Sequence, residues 1–398
     1  MTALLTDRDV QVRVSRVIDQ AVSQSSDAVE NAYTLPPAAY SSQDFFNLEA
    51  EAIFKRDWLL VAHVSQIPNV GDYVTLELFN EPLIVVRSKE GIRVLSNVCR
   101  HRWAPVAQGA GNARAFSCPF HKWTYDLDGQ LIGAPLMDRA VDFDKKSCRL
   151  PEVKSEVVEE LGLVFATFDN ANGPITEKLG GLIARARQEG WDMADQQVVH
   201  TIDQENRYNW KVQVETYVEC YHHIGGHETT LQKMLPAEST QCEEDKGSWT
   251  ICNVALTPHV DRLNDEEKLA FESFAQGAKP GEVIGHIVVI YPFTLLTFMP
   301  GGSDIRVLAP RSPTTTWSRL LVARQREQIA KPGFDEWLAE YNATADIINK
   351  EDNDINDMQQ YGVASSLAEA GRFSHLEACA WHLAQYVRRK IADYRQAS

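Results

Sequence analysis

CRHRWAPVAQGAGNARAFSCPFHKW, residues 99–123, sets a cysteine close to a histidine twice over. The first half reads C-x-H, with Cys99 and His101. After sixteen intervening residues the second half reads C-x-x-H, with Cys118 and His121. Zinc modules usually pair like with like, cysteines in one half and histidines in the other. Here each half contributes one thiolate and one imidazole. Two such loops, brought together at the tips of a β-domain, can bind two irons asymmetrically, with both sulfurs on one iron and both nitrogens on the other. A zinc site built from the same four residues is the competing reading.

The flanking sequence supplies the β-domain. Tyr73–Leu78, Leu83–Arg87 and Arg93–Asn97 are short β-branched runs, separated by Asn80-Glu81-Pro82 and Lys89-Glu90-Gly91 as turn signals. WTYDLDGQLIG reads as a hairpin turning at Asp128-Gly129. The mixed ligation is of the Rieske [2Fe–2S] type. The segment resembles Rieske domains through its CPFHKW core, with Pro119 shaping the second loop and Trp123 starting the next strand. It departs at Trp103, where many relatives carry glycine. Arg100, Arg102, Arg114 and Lys122 make these loops basic. That charge is either solvated surface or a docking patch for an acidic redox partner.

Composition narrows the rest. The 398 residues suit two ordinary domains, expected as a lead-in over 1–40, a Rieske domain over 41–165 and a second domain over 166–398. A net charge of −16 argues against wholesale nucleic-acid binding. No apolar run is long enough for a membrane span, and the start shows no secretory signal, so the cytoplasm is expected and no membrane partner. Cys148, Cys220, Cys242, Cys252 and Cys379 are scattered and read as buried or free thiols. In the second half, Phe334–Asn349 and Leu376–Arg395 read as long helices, and Ile284–Phe298 as one or two buried strands, an α+β pattern. Val288, Tyr291, Phe293 and Phe298 are core residues or pocket lining.

ECYHHIGGHE, residues 219–228, is the second constellation. Helical spacing over Trp210–His222 puts Trp210, Val214, Tyr217, Val218 and Tyr221 on one face. His222 follows Val218 by four residues and joins that face, whereas His223 is rotated about 100° away. Gly225-Gly226 should break the helix and let His227 fold back towards His222. His223 reads as a packed or supporting residue. Two histidines with one carboxylate leave open positions on Fe(II), the facial triad of oxygen-activating enzymes. NKEDNDINDMQQ supplies four competing acids, Glu351, Asp352, Asp354 and Asp357. An apolar stripe of Ile347, Ile348, Ile355 and Met358 does not choose among them.

NWKVQVETYVECYHHIGGH resembles the NWK…E-x-x-H-x4-H segment of Rieske non-haem iron oxygenase α subunits, and ED followed by MQQYGVASS resembles that family's downstream carboxylate region. The resemblance runs from about residue 40 to the C-terminus. It implies a Rieske β-sandwich followed by a helix-grip (SRPBCC-like) catalytic domain. It implies a [2Fe–2S] cluster on Cys99, His101, Cys118 and His121, and Fe(II) on His222, His227 and Asp352. It also implies that Glu219, where most members carry Asp, links His121 of one chain to His222 or His227 of the next, and hence a head-to-tail homotrimer. Glu in this position is similar to the branch that oxidises quaternary ammonium compounds, although Thr216 stands where that branch often has Asn. The expected activity is hydroxylation or oxidative demethylation of a small organic substrate, a quaternary amine or an aromatic acid, with O2. GAGNAR at 109–114 is no dinucleotide fingerprint, so electrons would come from NAD(P)H through a separate reductase or ferredoxin. The rival readings are ring cis-dihydroxylation, a Rieske electron carrier without oxygenase chemistry, and a zinc-stabilised binding protein.

Overall fold

Hydrophobic alternation and turn chemistry account for most of the first unit. The computed structural model of the protein describes residues 15–17, 19–20, 26–275 and 277–397. Much of the expected lead-in, residues 1–14 and 21–25, lies outside them. The chain divides into two units: Lys55–Val199, and Met1–Phe54 with His200–Ser398.

In the Lys55–Val199 unit, β1 (Leu59–His63), β2 (Asp72–Leu78), β3 (Glu81–Ser88), β4 (Gly91–Ser96), β5 (Ala110–Asn112), β9 (Glu152–Val158) and β10 (Leu163–Thr167) form one sheet, ordered β1-β10-β9-β4-β3-β2-β5. β6 (Phe116–Ser117), β7 (Thr124–Tyr125) and β8 (Leu131–Gly133) form a second, three-stranded sheet. The β2–β3 turn falls at Phe79-Asn80, with φ of 52° and 64°, and not at Asn80-Glu81-Pro82. A two-residue hairpin turn with both φ positive matches strand twist, so Glu81 and Pro82 are free to pair in β3. Ile84, Val86, Leu95, Phe116, Trp123, Tyr125 and Leu131 pack into one core, and Cys99 and Cys118 belong to it.

The other unit carries a seven-stranded sheet of β11 (Gln196–Asn206), β12 (Gln241–Cys242), β13 (Trp249–Ala255), β14 (Val283–Ile290), β15 (Thr294–Met299), β16 (Gly302–Ser312) and β17 (Thr315–Gln325), ordered β11-β17-β16-β15-β14-β13-β12. Helices α1 (Gln43–Glu49), α2 (Trp210–Val218), α3 (His223–Gly226), α4 (Phe334–Val363) and α5 (Ala378–Ala397) accompany it. α2 packs against β14 and β16, and α4 and α5 pack against α2. NWK builds the start of α2. The Asn209 side chain accepts from Lys211 N–H at 3.0 Å and donates to Pro313 O at 2.8 Å. Trp210 meets Phe54 and Phe293 edge to face. Lys211 is buried against Glu49, Nζ to Oε1 at 2.6 Å. Val288, Tyr291, Phe293 and Phe298 are all buried, and Tyr291 stacks on Tyr386 at 4.6 Å.

Two expectations are corrected here. α2 ends at Val218, four residues before His222, so Tyr221 is not inward but 44% exposed. The five scattered cysteines are free thiols, buried or half-buried, as expected, and three of them lie near one another. Cys242 and Cys252 are register partners on β12 and β13, and Cys379 Sγ donates to Ile251 O at 3.2 Å. Half of the stripe proposed for α4 fails: Ile347 and Met358 are 57% and 64% exposed, whereas Ile348 and Ile355 are half-buried. The inward face is polar instead. Arg306 Nη2 donates to Asn349 Oδ1 (2.9 Å), Tyr208 OH to Asn353 Oδ1 (2.6 Å), Thr216 Oγ1 to Asn356 Oδ1 (2.6 Å), and Asn209 N–H to Gln360 Oε1 (2.7 Å). No helix among the described residues is long and apolar enough to cross a membrane.

Candidate metal centres

The two loops of the first constellation have the same backbone. Cys99 O accepts from Trp103 N at 3.1 Å, and Cys118 O from Lys122 N at 3.0 Å. Cys99 N donates to Ala104 O at 3.0 Å, and Cys118 N to Trp123 O at 2.8 Å. The fourth residue after each cysteine sits in the left-handed region, with φ of 60° at Trp103 and 58° at Lys122. That conformation favours glycine, which explains why Trp103 is an unusual occupant. Its indole is 79% exposed and so does not crowd the loop. Cys99 and Cys118 are buried, whereas the imidazoles of His101 and His121 reach the surface with their Nδ1 atoms 3.2 Å apart. Tyr125 OH lies 3.4 Å from Cys99 Sγ and accepts from Arg100 N–H at 3.0 Å. Inner sulfurs and outer converging nitrogens fit a Rieske cluster.

At the second constellation the chain departs from helix at Glu219, with φ −130° and ψ 156°. The cause is its own carboxylate. Oε2 accepts the His222 N–H at 3.1 Å, and Oε1 lies 2.8 Å from His222 Nδ1. The short α3 then carries Gly225 and Gly226 inside a helical turn, and His227 N–H still bonds His223 O at 3.2 Å. The glycines therefore do not break the helix. A Cβ on Gly226 would meet Ile355 Cδ1 at 3.1 Å, so its smallness lets the turn approach α4.

That approach brings four groups together. His227 Nδ1 lies 2.7 Å from Glu351 Oε2, and its Nε2 lies 3.0 Å from Asp352 Oδ1. His222 Nε2 lies 3.4 Å from the same Oδ1. Each imidazole thus gives its Nδ1–H to an acid at its back and turns Nε2 towards Asp352. With each Nδ1–H engaged, the two Nε2 atoms and a carboxylate oxygen face one another, and the negative charge gathered there is met either by protons on the rings or by a metal ion between them. The electrostatics agree. Burial opposes protonation of His222, but Asp352 and Glu219 outweigh it and push its pKa up to about 10. Burial would raise Asp352, yet the hydrogen bonds of His222 and His227 hold it well below the ordinary carboxylate range. The residues fit a metal ion with carboxylate-backed histidines.

His223 is also near, with one nitrogen of each of the three imidazoles within 4.8 Å of the others. Its Nδ1, however, donates to Leu235 O at 2.8 Å. Burial, then the neighbouring His222, holds its pKa down at about 4, so it is a neutral, packed ring. Asp354 pairs with Lys350 at 2.5 Å on the outside of α4, and Asp357 is exposed. Sequence reasoning missed the place of Glu351 behind His227. It also missed Thr230, whose hydroxyl donates to Glu351 Oε2 at 2.7 Å.

Residues 193–393 match the family model described as the ring hydroxylating alpha subunit (catalytic domain), and residues 57–154 match the Rieske [2Fe-2S] domain. The carnitine monooxygenase oxygenase subunit of Acinetobacter baumannii is 35% identical over 193 residues, 48% of this chain and 52% of that protein. The putrescine 2-hydroxylase of Ralstonia nicotianae is 36% identical over 206 residues, 52% and 53% of the two. The chain thus spans about half the length of these curated relatives. Among solved structures, the quaternary ammonium Rieske monooxygenase CntA bound to an inhibitor superposes with a TM-score of 0.74 at 26% identity, covering 89% of this chain and 95% of that one.

Proposed function

Because the chain belongs to the ring-hydroxylating α-subunit family and carries a Rieske [2Fe–2S] domain, we propose that it is the terminal oxygenase of a multicomponent system, hydroxylating or oxidatively demethylating a small organic substrate. The observation that carries this is the meeting of His222 Nε2 and His227 Nε2 on Asp352 Oδ1. In this reading Cys99, His101, Cys118 and His121 hold the cluster, and His222, His227 and Asp352 hold Fe(II). Bound there, the cluster passes electrons singly and the iron activates O2. Glu219 and Glu351 hold the Nδ1–H groups and ring planes, so both Nε2 atoms are aimed at Asp352, where a metal ion would displace their protons. A metal held by only these three side chains would keep positions open for O2.

The names of the relatives favour an amine-bearing substrate over an aromatic hydrocarbon. Electrons would arrive from NAD(P)H through a separate reductase or ferredoxin, which suits a cytoplasmic protein. The exposed His121 and the buried Glu219 behind His222 suit a path between subunits of a homotrimer. Metal analysis with absorption and electron paramagnetic resonance tests the reading. About three irons per chain with a Rieske spectrum are expected. Two irons would leave a cluster-only carrier, and a colourless zinc protein would end both redox readings. A screen of quaternary amines and aromatic acids with a surrogate reductase, following product mass, then separates demethylation, hydroxylation and ring dihydroxylation.

A further inference from the structure

Of the described side chains on α4 and the sheet that keep a buried polar atom without a partner, Asn206 Oδ1, Ser303 Oγ and Asn342 Oδ1 are among the neutral ones, and Arg306 is the charged one. Arg306 of β16 lies in register with Leu295 of β15 and Leu320 of β17, both buried. Its Nη2 donates to Asn349 Oδ1 at 2.9 Å, but its Nε is buried with no partner. Among the described residues no carboxylate pairs with it. Asp304, two residues earlier on the same face, is taken by Arg324 at 3.0 Å and by the Tyr341 hydroxyl. Arg324 shows what a structural arginine on this sheet looks like. Its guanidinium donates to Ser303 O, Ala323 O and Asp304, and stacks over Tyr341 at 4.3 Å. A guanidinium with apolar flanks and an unmet donor is costly unless something supplies the acceptor.

Its position says what could. Asn349, which Arg306 holds, precedes Asp352 on α4 by three residues, a rise of about 4.5 Å. The charge of Arg306 is also felt at Tyr208 and Tyr217, beside which the charge of Asp352 is felt too. We propose that Arg306 anchors the carboxylate of the substrate, which makes the substrate a small organic acid whose oxidised carbon lies about one helical turn from that carboxylate. The free Nε and the remaining Nη protons form the fork that a carboxylate accepts. The inference rests on the oxygenase reading and narrows it: an amine without an acid group, or a hydrocarbon, would leave the anchor unmatched.

The test uses iron-loaded enzyme and matched pairs of acid and primary amide. 4-Trimethylammoniobutyrate and its amide form one pair, benzoate and benzamide the other, and all are titrated by calorimetry. At least one acid should bind about tenfold tighter than its amide, the worth of a charge-assisted bond. In Arg306→Gln that ratio should fall to about one, and Arg306→Lys should keep part of it. Iron is counted in every variant. Acids that bind wild-type enzyme no better than their amides, including no binding of either, overturn the anchor. So does an undiminished ratio in Arg306→Gln. Wild-type protein without mononuclear iron overturns the oxygenase reading instead, so the two failures are told apart. If Arg306→Gln does not fold, the wild-type ratio and Arg306→Lys decide.

Discussion

Replacing Glu351 by alanine should weaken mononuclear iron without abolishing its site. The side chain touches no converging Nε2. It holds His227 from behind, Oε2 to Nδ1 at 2.7 Å, and accepts from Thr230 at 2.7 Å. His227 is 1% exposed, so its abandoned Nδ1–H would lose a charged partner inside the protein. The Glu351 side chain is 24% exposed, so water can enter and recover part of the loss. Removing such a backing carboxylate typically costs 10- to 100-fold in metal affinity, about 1.4–2.8 kcal/mol. Glu351→Gln keeps an acceptor and should cost less than about tenfold. Asp352→Ala removes the oxygen on which both imidazoles converge and should leave no measurable mononuclear iron. The assay is anaerobic ferrous titration against a competing chelator, with the Rieske absorption followed as a check on folding. Glu351→Ala within threefold of wild type would refute the reasoning, as would Asp352→Ala holding iron as tightly as Glu351→Ala.

Glu219→Ala should keep the Rieske spectrum, weaken mononuclear iron as Glu351→Ala does because it also backs an imidazole, and, once fully reloaded with ferrous iron, still stop electrons passing between the centres; normal single-turnover rates in the reloaded variant would remove its proposed bridging role. Trp103→Gly should stabilise the protein by about 1 kcal/mol, because glycine accepts φ 60° without strain, and a lower melting temperature would contradict this. His63 is fully buried, with Nε2 at 3.1 Å from Met193 O, and burial pushes its pKa down to about 4. The fold binds it neutral while the unfolded chain takes a proton near pH 6.5. Its contribution is therefore complete above about 6.5 and lost as pH falls towards 4, at up to about 1.4 kcal/mol per pH unit. Urea unfolding of His63→Gln should show a shallower slope than wild type over that range; equal slopes would count against it.

Much of the architecture was legible because it is written in local patterns. The hairpin at Asp128-Gly129, the strands either side of Phe79-Asn80 and both long helices all have turn residues or periodicity of their own. The convergence of the two Cys-and-His loops was legible from spacing, since loops this short leave their cysteines and histidines few places to go. The end of α2 was not. Nothing in helix propensity marks Glu219 as the stop, because the cause is a side chain folding onto the residue three places ahead. The inward face of α4 was hidden for a similar reason. A hydrophobic wheel looks for apolar stripes, and this helix turns inward the half-buried Asn353 and the buried Asn356 and Gln360, whose partners Tyr208, Thr216 and Asn209 are more than a hundred residues away. Arg306 carried no signal at all until its neighbours were known.

A helix seated on oil can slide, because hydrophobic contact has little sense of direction. One fastened at Asn349, Asn353, Asn356 and Gln360 is keyed, since each bond fails if its atoms move by an ångström or so. A slip of one residue would advance the chain by about 1.5 Å and turn it by about 100°. That is the motion that would exchange Glu351 for Asp352 opposite the two imidazoles. Four amides along the helix thus act as the teeth of a ratchet, and they decide which of two adjacent acids faces the histidines.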